Sequence, residues 1–175
     1  MKKISRALTA FLVLAAAPVL AADEDVLPVN TDDISKYRIA GDWEVRQNET
    51  RGSCFISRSD AEGYLVQMGL TKNAEYGYIG IFKKGADVTE GSEMVAIALN
   101  GNLYVGEVSK LVHGASGDYK GGYILANNKN IRLDLESASE MVVFPESPYT
   151  VTVNLEGVRN AIYEARKCTR ELQGA

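Results

Sequence analysis

Two cysteines constrain this chain more than any other feature: Cys54, early in the body, and Cys168, close to the last residue. Their meaning depends on compartment. Met1 to Ala21 has the anatomy of a signal peptide, with Lys2, Lys3 and Arg6 as a positive leading region, an apolar run from Ala7 to Leu20, and small residues for cleavage at Val19-Leu20-Ala21. The run is too short and too rich in alanine for a comfortable membrane span. The compact lysine-rich leader is of the bacterial kind, which places the mature chain in the periplasm or outside a Gram-negative cell. Two cysteines in an oxidising compartment read as one disulfide. Closing so long a loop stabilises a fold by roughly 4 to 5 kcal/mol on the chain-entropy model. Two free buried thiols fit the compartment less well, and without a C-x-x-C motif a redox-active pair is not indicated.

The second cysteine lies in a segment whose hydrophobic period changes midway. Tyr149 to Leu155 alternates, with Val151, Val153 and Leu155 on one face, as a strand does. Glu156-Gly157 interrupts it. Val158, Ala161, Ile162, Ala165, Cys168 and Leu172 then recur at helical spacing, which predicts a helix over 157–172 with Cys168 on its buried stripe. Arg166, Lys167 and Arg170 suit the negative end of its dipole.

Upstream, short alternating segments follow one another: Trp43–Arg46, Cys54–Ser57, Tyr64–Thr71, Tyr76–Phe82, Met94–Leu99, Asn102–Val108, Tyr123–Ala126, Asn130–Leu135 and Met141–Phe144. Turn residues separate them. Asn100-Gly101 is the sharpest turn signal, the pair that a two-residue hairpin requires. Gly114 to Gly122, Asn127-Asn128-Lys129 and Glu136 to Ser139 read as further turns, and Pro145 and Pro148 bracket the last loop. No helical pattern shows between these strands, so parallel β-α-β units are not expected. The expected fold is mainly β: an antiparallel sandwich or barrel-like body with one C-terminal helix packed on it and one disulfide. The expected organisation is a signal peptide over 1–21, an extended acidic leader over 22–40, and one β-rich domain over 41–175.

Charge and missing residues narrow the function. The formal net charge is −4, and loss of Lys2, Lys3 and Arg6 with the signal peptide makes the mature chain more acidic still. An acidic exported domain is a poor partner for nucleic acid or for an anionic membrane surface. His113 is the only histidine, with no nucleophile elbow beside it, so neither a Ser-His-acid triad nor a zinc site is expected. There is no phosphate loop, dinucleotide fingerprint or EF-hand. The scattered carboxylates read as solvated surface. No cofactor, metal or catalytic residue is assigned.

Nine tyrosines suggest binding. Tyr76 and Tyr78 share a strand face, and Tyr119 and Tyr123 flank a Gly-Gly. These four are the candidate binding surface, because tyrosine offers a flat apolar body with a polar tip. The competing reading is that tyrosine is simply a favoured, half-buried strand residue.

Gly41-Asp42-Trp43-Glu44-Val45, then Cys54, then a β-rich middle, then Val151-x-Val153-x-Leu155-x-Gly157, a helix around Ala161 and Cys168 form a layout. It resembles that of small exported alphaproteobacterial proteins related to the invasion-associated locus B protein. The resemblance spans most of the mature chain, and the strand–Leu-x-Gly–helix closure is its most specific part. It implies an envelope protein with a β-sandwich-like body, in some cases tied to host-cell entry, and no catalysis. The expectation is therefore a non-enzymatic periplasmic or exported protein that binds another envelope component, protein or glycan. An inhibitor of an exported or foreign hydrolase, and a carrier of a small apolar ligand, are the alternatives.

Overall fold

The computed structural model describes residues 27–71, 76–86, 93–108, 118–126, 129–145 and 150–174; at 93, 94, 106–108, 126 and 129 it describes the backbone alone. The expected signal peptide, the first part of the leader, His113, the turn residues Gly114–Gly117 and Asn127-Asn128, and Pro148 lie outside these residues.

The strands are β1 (Ile34–Ala40), β2 (Trp43–Asn48), β3 (Ser53–Ser59), β4 (Tyr64–Leu70), β5 (Gly77–Lys84), β6 (Glu93–Leu99), β7 (Asn102–Val108), β8 (Tyr119–Ala126), β9 (Glu140–Val143) and β10 (Val151–Asn154). Two helices, α1 (Lys129–Ser137) and α2 (Val158–Leu172), complete the order. The strands run β1-β2-β3-β4-β5-β8-β7-β6-β9-β10, and every neighbouring pair is antiparallel. The ladder is broad from β1 to β8 and again within the β6–β7 hairpin. Among the described residues it narrows to the pair Val108–Ile124 between β7 and β8. That narrowing divides the strands into two antiparallel sections, β1–β5 with β8 and β7-β6-β9-β10. They share one aliphatic core, which makes the body sandwich-like.

The core draws Val45, Ile56, Val66, Met68, Ile79 and Ile124 from the first section. From the second it draws Val95, Ile97, Leu99, Met141, Val143, Val151 and Val153. These are the inward positions of alternating strands, as period two demands. Helix α2 closes the core with Val158, Ala161, Ala165 and Cys168. Its N-cap, Gly157, has φ 76°, a left-handed conformation that favours glycine. Trp43 lies beside it, 3.8 Å from where a Cβ would stand, and donates from Nε1 to the Glu156 carbonyl at 2.9 Å. The disulfide Cys54–Cys168 joins β3 to α2, with 5.9 Å between the Cα atoms. Beside it the Cys54 N–H donates to Thr169 Oγ1 at 2.9 Å. The mainly β, antiparallel body, the closing helix and the cross-link are as expected.

Three expectations change. Asn130–Leu135 is not a strand but the body of α1. Ile131, Leu133 and Leu135 alternate like a strand, yet α1 buries Ile131 and Leu135, one helical turn apart, with Ala138 buried just past its end, while Leu133 stays 57 % exposed. A helix therefore does lie between strands, and Glu136 and Ser137 belong to it rather than to a turn. Folded structure also starts before Gly41: β1 pairs with β2 from Ile34 to Ala40, with a register shift between Lys36 and Arg38. Its polar sequence hid it, because α2 flanks this strand with polar contacts: Glu164 accepts from Arg38 and Glu171 from the Tyr37 hydroxyl. Finally, β8 starts at Tyr119, so the glycines at 121 and 122 are strand residues and not a turn.

Candidate functional site

The four tyrosines do not form a surface. Tyr123 is fully buried and Tyr78 is 2 % exposed, while Tyr76 and Tyr119 are half-buried. Tyr78 and Tyr123 lie on the face of the first section that turns away from the aliphatic core. There they form a second cluster with Leu27, Phe55, Leu65 and Phe82, and Tyr119 packs at its margin. Tyr123 meets Tyr78 and Phe82 edge to face, at centroid separations of 5.3 and 5.1 Å.

Glycines make this packing feasible. Gly69 pairs with Tyr78 across β4–β5, and Gly80 pairs with Tyr123 across β5–β8. A Cβ at Gly69 would stand 2.5 Å from the Tyr78 hydroxyl, and one at Gly80 2.5 Å from the Tyr123 ring. Each ring therefore lies over the glycine opposite it, in the manner known to stabilise strand glycines. The signal was present in the sequence as glycine inside a strand pattern. It could be read only with the register known.

Polar groups are built into the same face. Tyr123 donates its hydroxyl to Gln67 Oε1 at 2.5 Å, and Gln67 Nε2, fully buried, has no partner among the described residues. Asp32 accepts from Arg51 Nη2 at 3.0 Å, Asn48 Nδ2 at 2.7 Å and the Val29 N–H at 3.0 Å. The Asp32 and Arg51 side chains are almost wholly buried. Burial pushes the Asp32 carboxyl up, but hydrogen bonds from Arg51, Asn48 and Val29 outweigh it and hold it below the ordinary 3.8. Burial raises the Tyr78 phenol, with a further push from Tyr123, and burial likewise raises the Tyr123 phenol. These groups fix the N-terminal segment to the β2–β3 turn. Asp32 is one of the residues that sequence reading missed, since it falls in the stretch expected to be an extended acidic leader.

No group of His, Cys, Asp and Glu among the described residues could hold a metal ion. No helix among them is long and apolar enough to cross a membrane.

The outward feature with binding chemistry is a strand edge. Among the described residues the outermost strands β1 and β10 are edges, each protected in a way that natural sheets use, and β7 is unpaired over part of its length. β1 places exposed Lys36 and Arg38 along its edge and is bulged between them. β10 is only four residues long and turns polar Thr152 and Asn154 outward. β7 has neither protection. Its register with β6 is regular from Asn102 to Val108, and among the described residues it pairs with β8 at Val108. From Asn102 to Gly106 no described strand pairs with it on the side away from β6. Leu103 and Val105, 62 % and 60 % exposed, project from one face of it. On the other face Tyr104 and Asn102 are anchored, both donating to Asp134 Oδ2 of α1, at 2.6 and 2.8 Å. The Tyr104 and Asn102 bonds hold the Asp134 carboxyl below its ordinary value. The strand is thus tied to α1 on one face while Leu103 and Val105 stay exposed on the other. Tyrosine content drew attention away from it, because Leu103 and Val105 look like core residues in the sequence. Comparison with family models, curated proteins and solved structures finds no match.

Proposed function

We propose that this is a non-enzymatic exported protein that binds another protein of the bacterial envelope by strand addition at β7. The observation that carries the reading is the backbone edge from Asn102 to Gly106, unpaired among the described residues, with Leu103 and Val105 exposed beside it. A polypeptide can complete both the hydrogen-bond ladder and the apolar contact, with main-chain bonds giving affinity and side chains giving selectivity. A glycan would call for exposed aromatic platforms, and the two best candidates, Tyr78 and Tyr123, are buried. The same burial weakens the carrier reading, since the second cluster is filled by its own rings lying on glycines. Export is supported by the signal-like Met1–Ala21 and by the disulfide. The absence of catalysis is supported by a sequence with one histidine and no nucleophile motif.

Capture from periplasmic extract tests this reading. Wild-type protein is expected to retain an envelope protein that the Leu103→Lys/Val105→Lys variant does not. Equal retention by both would remove β7 as the binding element.

A further inference from the structure

We propose that, in the free protein, the open edge of β7 is occupied by β7 of a second copy, forming a two-fold antiparallel pair. This rests on the binding reading of β7 above and names the first occupant of that edge.

The backbone sets the allowed registers. Asn100 and Gly101 both have positive φ, 50° and 79°, so the β6–β7 turn is the two-residue kind. Its closing pair, Leu99 and Asn102, is hydrogen-bonded, and bonded and non-bonded pairs alternate along an antiparallel ladder. Asn102, Tyr104 and Gly106 therefore spend their backbone groups on β6. Glu107, next to the Val108–Ile124 pair, turns its carbonyl to β8, whereas Leu103 and Val105 turn N–H and C=O to the open side. A second strand on that side must oppose members of this latter set to one another.

One such register matches the side chains as well. With Tyr104 on the two-fold axis, Leu103 faces Val105 of the second copy and Val105 faces its Leu103. Both are bonded pairs, and both join exposed aliphatic side chains that otherwise meet water. Aliphatic pairs directly opposite are the favourable unit of sheet pairing. Glu107 registers against Gly101 of the second copy, so no two acidic residues are opposed, and no basic residue or proline lies in Asn102–Glu107. Moving the axis by one residue either way opposes only one of the two aliphatic residues to its like and leaves the other facing glycine or glutamate. A self-complementary patch on a two-fold axis is the ordinary basis of homodimers. One short strand pair buries less than a permanent interface needs, so the dimer is weak and exchanges readily with a competing strand.

Sedimentation velocity from about 1 µM to about 1 mM, the range proper to weak association, reads the proposal. Wild type is expected to pass from monomer to dimer mass. Leu103→Lys/Val105→Lys opposes lysine to lysine twice and is expected to stay monomeric, with unchanged circular dichroism. Leu103→Lys/Val105→Glu opposes each lysine to a glutamate in this register only, and is expected to regain the dimer, now lost again at high salt. Wild type that is monomeric throughout, a dimer indifferent to the two lysines, or a charge-swap variant that stays monomeric would each overturn self-pairing. If wild type is monomeric yet its capture from extract is lost with the two lysines, self-pairing fails while the binding reading stands. If capture is equally insensitive, both fall.

Discussion

The two faces of the β1–β5–β8 section are buried by different means. The inner face is aliphatic, closed by a second strand section and by α2, and tied by a covalent cross-link. The opposite face is aromatic and polar, with rings over glycines, a buried carboxylate–guanidinium pair and an amide lacking one partner. β3 and β4 are buried on both sides as a result. The difference is one of tolerance. Aliphatic packing degrades gradually as methylenes are lost. A buried charge pair or a ring without clearance fails steeply, because each atom has a single acceptable place.

The steepest failure is expected at Asp32. Asp32→Asn removes the carboxylate beside Arg51 and is expected to cost about 3 to 5 kcal/mol in urea unfolding. The same residue sets an acid limb. Its folded pKa is depressed, so its stabilisation is present above about pH 4 and is lost as pH falls through the folded value. Wild type is therefore expected to weaken below about pH 4, and the variant to show a shallower decline there.

On the inner face, Cys54→Ala/Cys168→Ala is expected to cost about 2 to 5 kcal/mol. If this double variant loses more than Asp32→Asn, the covalent tie and not the polar face is the critical element. Next comes Gly80→Ala, whose Cβ would press on the Tyr123 and Phe82 rings, at about 1 to 3 kcal/mol by overpacking. An Ala at exposed Gly101 lacks that clash and would feel only its positive φ. A thermodynamic cycle sharpens the polar side. Tyr123→Phe alone takes the donor from Gln67 Oε1 and is expected to cost roughly 1 to 3 kcal/mol, whereas Tyr123→Phe with Gln67→Leu removes both groups and is expected to be close to neutral. The smallest effect is expected for Leu133→Lys on the outer side of α1, within about 0.5 kcal/mol by thermal melting.

How much the sequence disclosed varied from residue to residue. Cys54–Cys168 followed from compartment, α2 from a clean helical stripe, and the Asn100-Gly101 hairpin from two residues that accept positive φ. These signals are local or depend on one pairing. The α1 segment misled because Leu133 supplies an alternation that the fold does not use. β1 was hidden because its partners, β2 and α2, receive it through backbone bonds and polar tips rather than an apolar face. The tyrosines were misplaced because their burial depends on which glycine lies across the strand. The β7 edge was invisible for a different reason: an unpaired edge is a property of strand order, and strand order here crosses from β5 to β8 and from β6 to β9.

The cross-link also has a consequence in time. Cys54 is on the third strand and Cys168 is near the end of the final helix, 114 residues later. A chain emerging from its N-terminus presents one thiol long before the other exists. Until Cys168 has been made, a mixed disulfide formed at Cys54 can be resolved only by a thiol other than Cys168, which returns Cys54 reduced. The cross-link can therefore close only after every described strand has been made.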